Sequence, residues 1–360
     1  MTMLNRSKRI RSVRPVLQSL EHRELLNAAM PHVVHDVRVP AHVFDAKQNH
    51  NAKAMGPSIT VINQVENDGF LFTNFNGPFA GTNAAAGTNM NGISNSGTAV
   101  GFDTDNNGAF HNFTVNPLKS RTVNELNING STTAMANAVN SSGTVVGTDG
   151  NGNAFFTSKG KIKTFIPTGG MSAVALGIND HGTIVGQYVT STATPGFIRV
   201  SNKSTLTINA PSGANTVFAQ GINNEGVVVG FYVGTDSQDH GFIANEKGAL
   251  DGIVTGTAIA DPTIPNVPGE PGATFVFSQI LGINDKGIAV GYYGDSTLSQ
   301  HGFIYNTHTG VYTFLDDPSE AFANGVEVTQ ITGITNSGEI TGFYSDANGV
   351  FHGFVAKPLG

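Results

Sequence analysis

The chain contains no cysteine and no tryptophan, and only 12% of its 360 residues are charged, against about 25% in an average soluble domain. Without thiols there are no disulfides, thiolate metal ligands or cysteine nucleophiles, so stability must come from packing and strand pairing. Proline is sparse, at 15 residues. No apolar run approaches the ~18 residues of a membrane-spanning helix. Also missing are the G-x-S-x-G elbow, the H-E-x-x-H helix and the phosphate loop G-x-x-x-x-G-K-[ST], which removes the common hydrolase and nucleotide-site signals.

What fills the space is glycine, 45 residues, together with Asn, Thr, Ser and 23 Phe. The aromatic and β-branched content argues against disorder and for strands packed on both faces. Charge is unevenly placed. Residues 1–40 hold seven of the 19 basic and three of the 26 acidic residues, so the remainder carries twelve against 23, a net of −11. An acidic body repels phosphate backbones and excludes nucleic acid as a partner.

One phrase recurs: GISNSGTAVGF from Gly92, AVNSSGTVVGT from Ala138, GINDHGTIVGQY from Gly177, GINNEGVVVGFY from Gly221, GINDKGIAVGYY from Gly282 and GITNSGEITGFY from Gly333. Its turn glycines, Gly97, Gly143, Gly182, Gly226, Gly287 and Gly338, are 46, 39, 44, 61 and 51 residues apart, the period of a four-stranded propeller blade. Each copy reads as a hairpin, with glycine where the turn needs positive φ. A further strand opens on His-Gly-Phe at His240, His301 and His352, on His111-Asn112-Phe113 in the first copy and on Pro195-Gly196-Phe197 in the third. An outer run follows, as in Thr205–Asn209 or Val311–Leu315. The second hairpin glycine (Gly101, Gly147, Gly186, Gly230, Gly291, Gly342) fits either backbone crowding near a central channel or a bulge.

The expected fold is therefore all-β, a single β-propeller over residues 56–360 with six four-stranded blades. The chain ends part-way through the sixth unit, and Phe70–Phe75 matches the missing outer run. N-terminal strands would then complete the C-terminal blade and leave no raw edge. The segment 58–65 adds one more strand, or belongs to a seventh blade.

Residues 1–55 share nothing with the repeat and read as a basic leader and disordered linker, with Val16, Leu17, Leu20 and Leu25 on one side of a short helix. The run Leu20–Ala28, preceded by Arg11 and Arg14, resembles the LEPR-XLL leader of exported planctomycete proteins, with His22 where that motif has Pro. The repeated phrases over residues 69–360 resemble the HAF family of extracellular repeat proteins; the second copy lacks the leading Gly and the His. These resemblances imply a secreted or cell-surface bacterial propeller without an assigned activity.

Three features invite chemistry. His111, His240, His301 and His352 hold equivalent positions, and metal ligation would need three or four of them within ~2.1 Å of one ion; a structural bond to a neighbouring turn is the plainer reading. Asp103-Thr104-Asp105-Asn106-Asn107-Gly108 opens like a calcium loop, but Thr114 stands where the bidentate Glu belongs, and the segment aligns with ordinary Asp-Asn-Gly turns. The long interval after Gly226 carries Asp251, Asp261 and Glu270, an imaginable carboxylate pair for glycoside chemistry. No catalytic, cofactor-binding or metal residue is assigned on this basis. The expectation is a monomeric, exported, non-catalytic module with no membrane span, binding a carbohydrate or a surface protein. The alternatives are a polysaccharide hydrolase or lyase acting at the propeller funnel, and a calcium-dependent adhesion module. An enzyme would gather acids with His or Tyr in the funnel; a scaffold would scatter them.

Overall fold

The computed structural model describes residues 56–200, 205–266 and 270–360; the expected leader and its helix lie outside the described residues. Those residues are all-β and propeller-like, with strands throughout and only two single-turn 3-10 helices, Pro211–Gly213 and Glu246–Gly248. Among them no helix is long and apolar enough to cross a membrane.

Each repeat copy folds into an antiparallel unit. In the fifth, Phe275–Ile283, Ile288–Asp295, Gln300–Asn306 and Val311–Phe314 pair in chain order. The inner strands of the other units are Gly87–Ile93, Met135–Val139, Ser172–Ile178, Val217–Ile222 and Thr329–Ile334. Second strands such as Thr183–Val189 and Ile340–Ser345 are buried at every residue, because neighbouring units cover both faces. That double burial explains why so few charges are tolerated.

The repeat motif specifies its hairpin through three side-chain choices. The turn glycines sit at φ between +71° and +91°. Asn179, just before the turn, accepts the amides of His181 and Thr183 on Oδ1 at 3.1 and 2.9 Å, an Asx turn that closes the loop on itself. Its Nδ2 faces the other way and donates to the carbonyl of Asn223 in the next unit at 3.0 Å. The same donation runs from Asn140 to Asn179, from Asn223 to Asn284 and from Asn284 to Thr335.

The residue after this Asn links the units a second time. The amide of Ser141 donates to Asp180, that of Asp180 to Asn224, that of Asn224 to Asp285, that of Asp285 to Asn336 and that of Asn336 to Asn95, at 2.8 to 2.9 Å. The last of these bonds joins the sixth unit to the first.

Of the two readings open for the second hairpin glycine, the structure shows the bulge. The second hairpin glycine lies opposite a β-bulge in the inner strand, as Gly186 does beside the register shift between Ala175 and Gly177. A Cβ there would strike the carbonyl of Val174 and the ring of Phe197. The glycine that crowds the neighbouring unit is instead the first of the motif: a Cβ on Gly221 would sit 3.0 Å from the Cα of Gly282, and one on Gly333 would sit 3.0 Å from the Cα of Gly92. The inner strands of neighbouring units thus approach one another closely at the motif's start. Opposite each second glycine stands the phenylalanine of the third strand: Phe113, Phe155, Phe197, Phe242, Phe303 and Phe354, none with accessible surface. The glycine of His-Gly-Phe makes room for the next unit, because a Cβ on Gly302 would strike Ile331 and one on Gly353 would strike Met90.

The chain's two ends of repeat meet as the outer-run match predicts. Phe70–Asn76 pairs antiparallel with Phe351–Pro358, from Phe70 opposite Pro358 to Phe75 opposite Gly353. Thr60–Asn67 pairs onto Phe70–Asn76 as a fifth strand of that unit rather than starting another. The long interval after the fourth motif adds Ile253–Thr255, parallel to Thr205–Asn209 at the edge of the third unit, and Thr257–Ala258, the short outer strand of the fourth.

Candidate functional site

Functional side chains collect at the turns between second and third strands. There an aspartate opens an Asx turn: Asp105 Oδ1 accepts the amides of Asn107 and Ala109, and Asp346 Oδ1 those of Asn348 and Val350. Its other oxygen is aimed at the second residue of the third strand. This gives His111 Nε2 to Asp105 Oδ2 at 3.2 Å, His240 Nε2 to Asp236 Oδ2 at 3.0 Å and His352 Nε2 to Asp346 Oδ2 at 3.4 Å. The second unit has the same arrangement with Asn153, which donates to Asp149 at 2.8 Å. Sequence reading missed that substitution, although Asn153-Ala154-Phe155 stands at the equivalent spacing. Nδ1 faces a residue at or just beyond the end of the outer strand: Asp261 for His240 at 2.8 Å, Asp316 for His301 at 3.0 Å and Asn76 for His352 at 2.7 Å. A tyrosine ring from the second strand lies over His240, His301 and His352.

The recurrent histidines thus each serve their own unit. His301 differs from the rest. It has no accessible surface, and its Nε2 bonds Glu270 Oε2 at 3.1 Å, while Asp295, the aspartate of its own turn, stands back at 3.9 Å. Glu270 comes from the long insertion, Asp295 from the turn, and Asp316, Glu320 and Glu327 from the connection to the sixth unit. Burial acts against protonation of His301, but the hydrogen bond to Asp316 and the charges of Asp316, Glu270 and Glu327 raise it to about 9. Burial followed by the Asp316 charge pushes Glu320 up to about 10, against a hydrogen bond from Thr329. Burial also lifts Glu327 to about 7, with His301 opposing and Glu270, Asp316 and Asp295 assisting.

The calcium-loop candidates have other duties. Asp105 holds its turn, and Asp103, on the adjoining strand, accepts the Phe79 amide at 2.8 Å and the Thr88 hydroxyl at 2.7 Å. Burial raises Asp103 to about 6 in spite of those two bonds and the nearby His111. The insertion's three acids are not brought together: Asp251 sits in an exposed turn at φ +50°, Asp261 bonds His240 and Ser278, and Glu270 bonds His301 and Thr297.

Two hollows are lined by described residues. One, of about 60 Å³, is lined by the motif turns of all six units, with Ile93, Val139, Ile178, Ile222, Ile283 and Ile334 below the Asn and Asp ring. Its two acids are tied to amides: Asp180 to Ser141, Asn95 and Asn224, and Asp285 to Asn224 and Asn336, which hold both carboxyls below their ordinary range although burial opposes this. The other is a groove of about 460 Å³ between the second and third units, within the range of small-ligand sites. Its lining includes Ser142, Thr144, Phe156, Thr157, Ser158, Lys159 and Arg199. The half-buried Arg199 guanidinium lies 4.9 Å from the ring centre of Phe156 and 4.8 Å from that of Phe165. Lys163 approaches Phe156 at 5.8 Å. Among the described residues no carboxylate forms an ion pair with Arg199. Nothing in the sequence repeat singles out this groove, since only the second and third units combine these basic and aromatic residues.

No family model matches the chain, and neither does any curated protein. Among solved structures, it is similar to the β-propeller domain of the Trilobed protease from Pyrococcus furiosus, at 9% identity and a TM-score of 0.42 over 85% of this chain and 96% of that one. An acylaminoacyl peptidase is similar at 8% identity and a TM-score of 0.41, over 80% of this chain and 49% of that one. A glycosyl hydrolase from Bacteroides ovatus is similar at 10% identity and a TM-score of 0.31, over 84% of each.

Proposed function

We propose that the chain is an exported, non-catalytic β-propeller of six blades, zipped shut between its first and last blades, that binds acidic carbohydrate in the groove beside Arg199. The blade number is supported by a small hollow to which all six motif turns contribute and by the amide link from Asn336 to Asn95. Export is supported by the resemblance of Leu20–Ala28 to a known leader.

The ligand class rests on one observation: a guanidinium with no acidic partner among the described residues, stacked on two phenylalanines and ringed by hydroxyls, in a body whose net charge is otherwise negative. An aromatic face suits the C–H side of a sugar ring, the hydroxyls suit its rim, and Arg199 with Lys159 suits a uronate or sulfate. The enzyme alternative is weakened because the one dense gathering of acids among the described residues surrounds a histidine with no accessible surface, where no polymer can lie. The test is affinity electrophoresis of the tag-free chain through gels containing polygalacturonate, alginate or neutral glucan. Retention is expected in the acidic gels alone, falling at least about tenfold in affinity for Arg199→Ala. Equal migration in all gels, or release of reducing ends from the polymer, overturns the proposal.

A further inference from the structure

The repeat supplies the reference for what is unusual at His301. In three other units the turn aspartate faces its histidine at 3.0 to 3.4 Å; in the fifth the distance opens to 3.9 Å and Asp295 Oδ2 is left without a hydrogen-bond partner. Asp295 is 2% exposed, so no bulk water offsets the loss. A buried, unpaired carboxylate oxygen is expensive unless something cationic faces it.

The surroundings hold too many carboxylates for the charge available. Ligand atoms of Glu270, His301 and Glu327, all buried, lie within 4.8 Å of one another. His301 provides at most one positive charge and two N–H groups; Asp316 engages Nδ1 and Glu270 engages Nε2, so neither Asp295 nor Glu327 is served. The Asp316 bond also fixes the ring. A carboxylate on Nδ1 is the arrangement that orients a metal-bound imidazole and raises the basicity of Nε2. Nε2 then points at Glu270, with Asp295 behind it, and separations of 3.1 and 3.9 Å are those between ligands around a single ion.

We propose that Glu270, Asp295, His301 and Glu327 bind one divalent transition-metal ion of the zinc or manganese type, with Asp316 as the positioning residue for His301. One nitrogen among carboxylate oxygens favours these ions over calcium or magnesium, which take oxygen alone. The ion would clasp the insertion, through Glu270, to the turn of the fifth unit and to the connection leading into the sixth. This site is independent of the carbohydrate reading: it lies in other units and needs no ligand in the groove.

The experiment uses the full tag-free chain, stripped with EDTA, then loaded with ZnCl2 or MnCl2, desalted and assayed by elemental mass spectrometry and thermal melting, with CaCl2 and MgCl2 in parallel. The five histidines of residues 1–55 can add background zinc, so the native chain is compared with Asp295→Asn and Glu327→Gln. Both variants keep side-chain shape and remove a crowded carboxylate, so without metal they should melt no lower than the native chain. The native chain should retain one equivalent more than either variant and melt about 5 °C higher with metal, a rise both variants lose. Equal stoichiometry in all three proteins, or an equal metal-induced rise, overturns the assignment.

Discussion

His111 and His301 occupy the same place in the repeat, yet one side chain is 37% exposed and the other has no accessible surface. His111 meets one carboxylate, on its own turn, and stacks on Phe79; His301 is surrounded by acids drawn from three separate segments. The repeat builds the socket in both cases. What differs is the irregular connections, which deliver Glu270 on one side and Asp316, Glu320 and Glu327 on the other. A periodic scaffold thus fixes where a histidine stands, while aperiodic loops decide whether it becomes part of a charged core.

The comparison can be broken at the scaffold or at the socket. The largest effects should come from the scaffold and be equal: Phe113→Ala and Phe303→Ala each remove a ring with no accessible surface and should lower unfolding free energy by about 3–5 kcal/mol in urea titrations. Unequal losses would mean that the two units are not energetically equivalent. His301→Ala should follow, destabilising by about 3 kcal/mol or more in metal-free buffer, because it removes the one cation that the described residues place among those buried acids. A loss no larger than that of His111→Ala would erase the distinction drawn here.

A titration sharpens the contrast from the first unit. Asp103 is raised to about 6, so its folded form holds a proton more tightly than the unfolded chain does. The stability this contributes is complete below about pH 4 and is lost as pH rises through about 6. Native and Asp103→Asn chains should therefore change in relative stability over that window, by no more than about 3 kcal/mol, and run parallel at higher pH; parallel behaviour throughout would show that Asp103 is not perturbed. The smallest effect belongs to His111→Ala, whose partner is a solvated turn carboxylate, and its melting temperature should stay within about 2 °C of native.

Much of the architecture was legible because it is local. Gly97 and its equivalents need positive φ, Phe70–Phe75 carries the pattern of an outer strand, and both follow from spacing alone. The socket at His301 was not legible, because Glu270 and Glu327 belong to segments with no period, and their meeting depends on loop paths that no spacing encodes. The crowding at the first glycine of the motif was not legible for a related reason: it arises between units, whereas pattern reading sees one unit at a time. The two motif asparagine roles were also hidden, since Asn179 reads as ordinary turn chemistry until the neighbouring carbonyl of Asn223 is in view.

The chain of amide bonds through the motif turns has one weak stitch. Every carrier is Asn or Asp except Ser141, whose side chain is too short to receive Asn95, and nearby Ser94 stands where Asn would bridge to the second unit. Thermal breathing should concentrate at this junction. Deuterium would then enter the backbone near Asn95 and Ser141 sooner than at Asn224 or Asp285, and a protease or a mechanical load would find its first opening between the first two units.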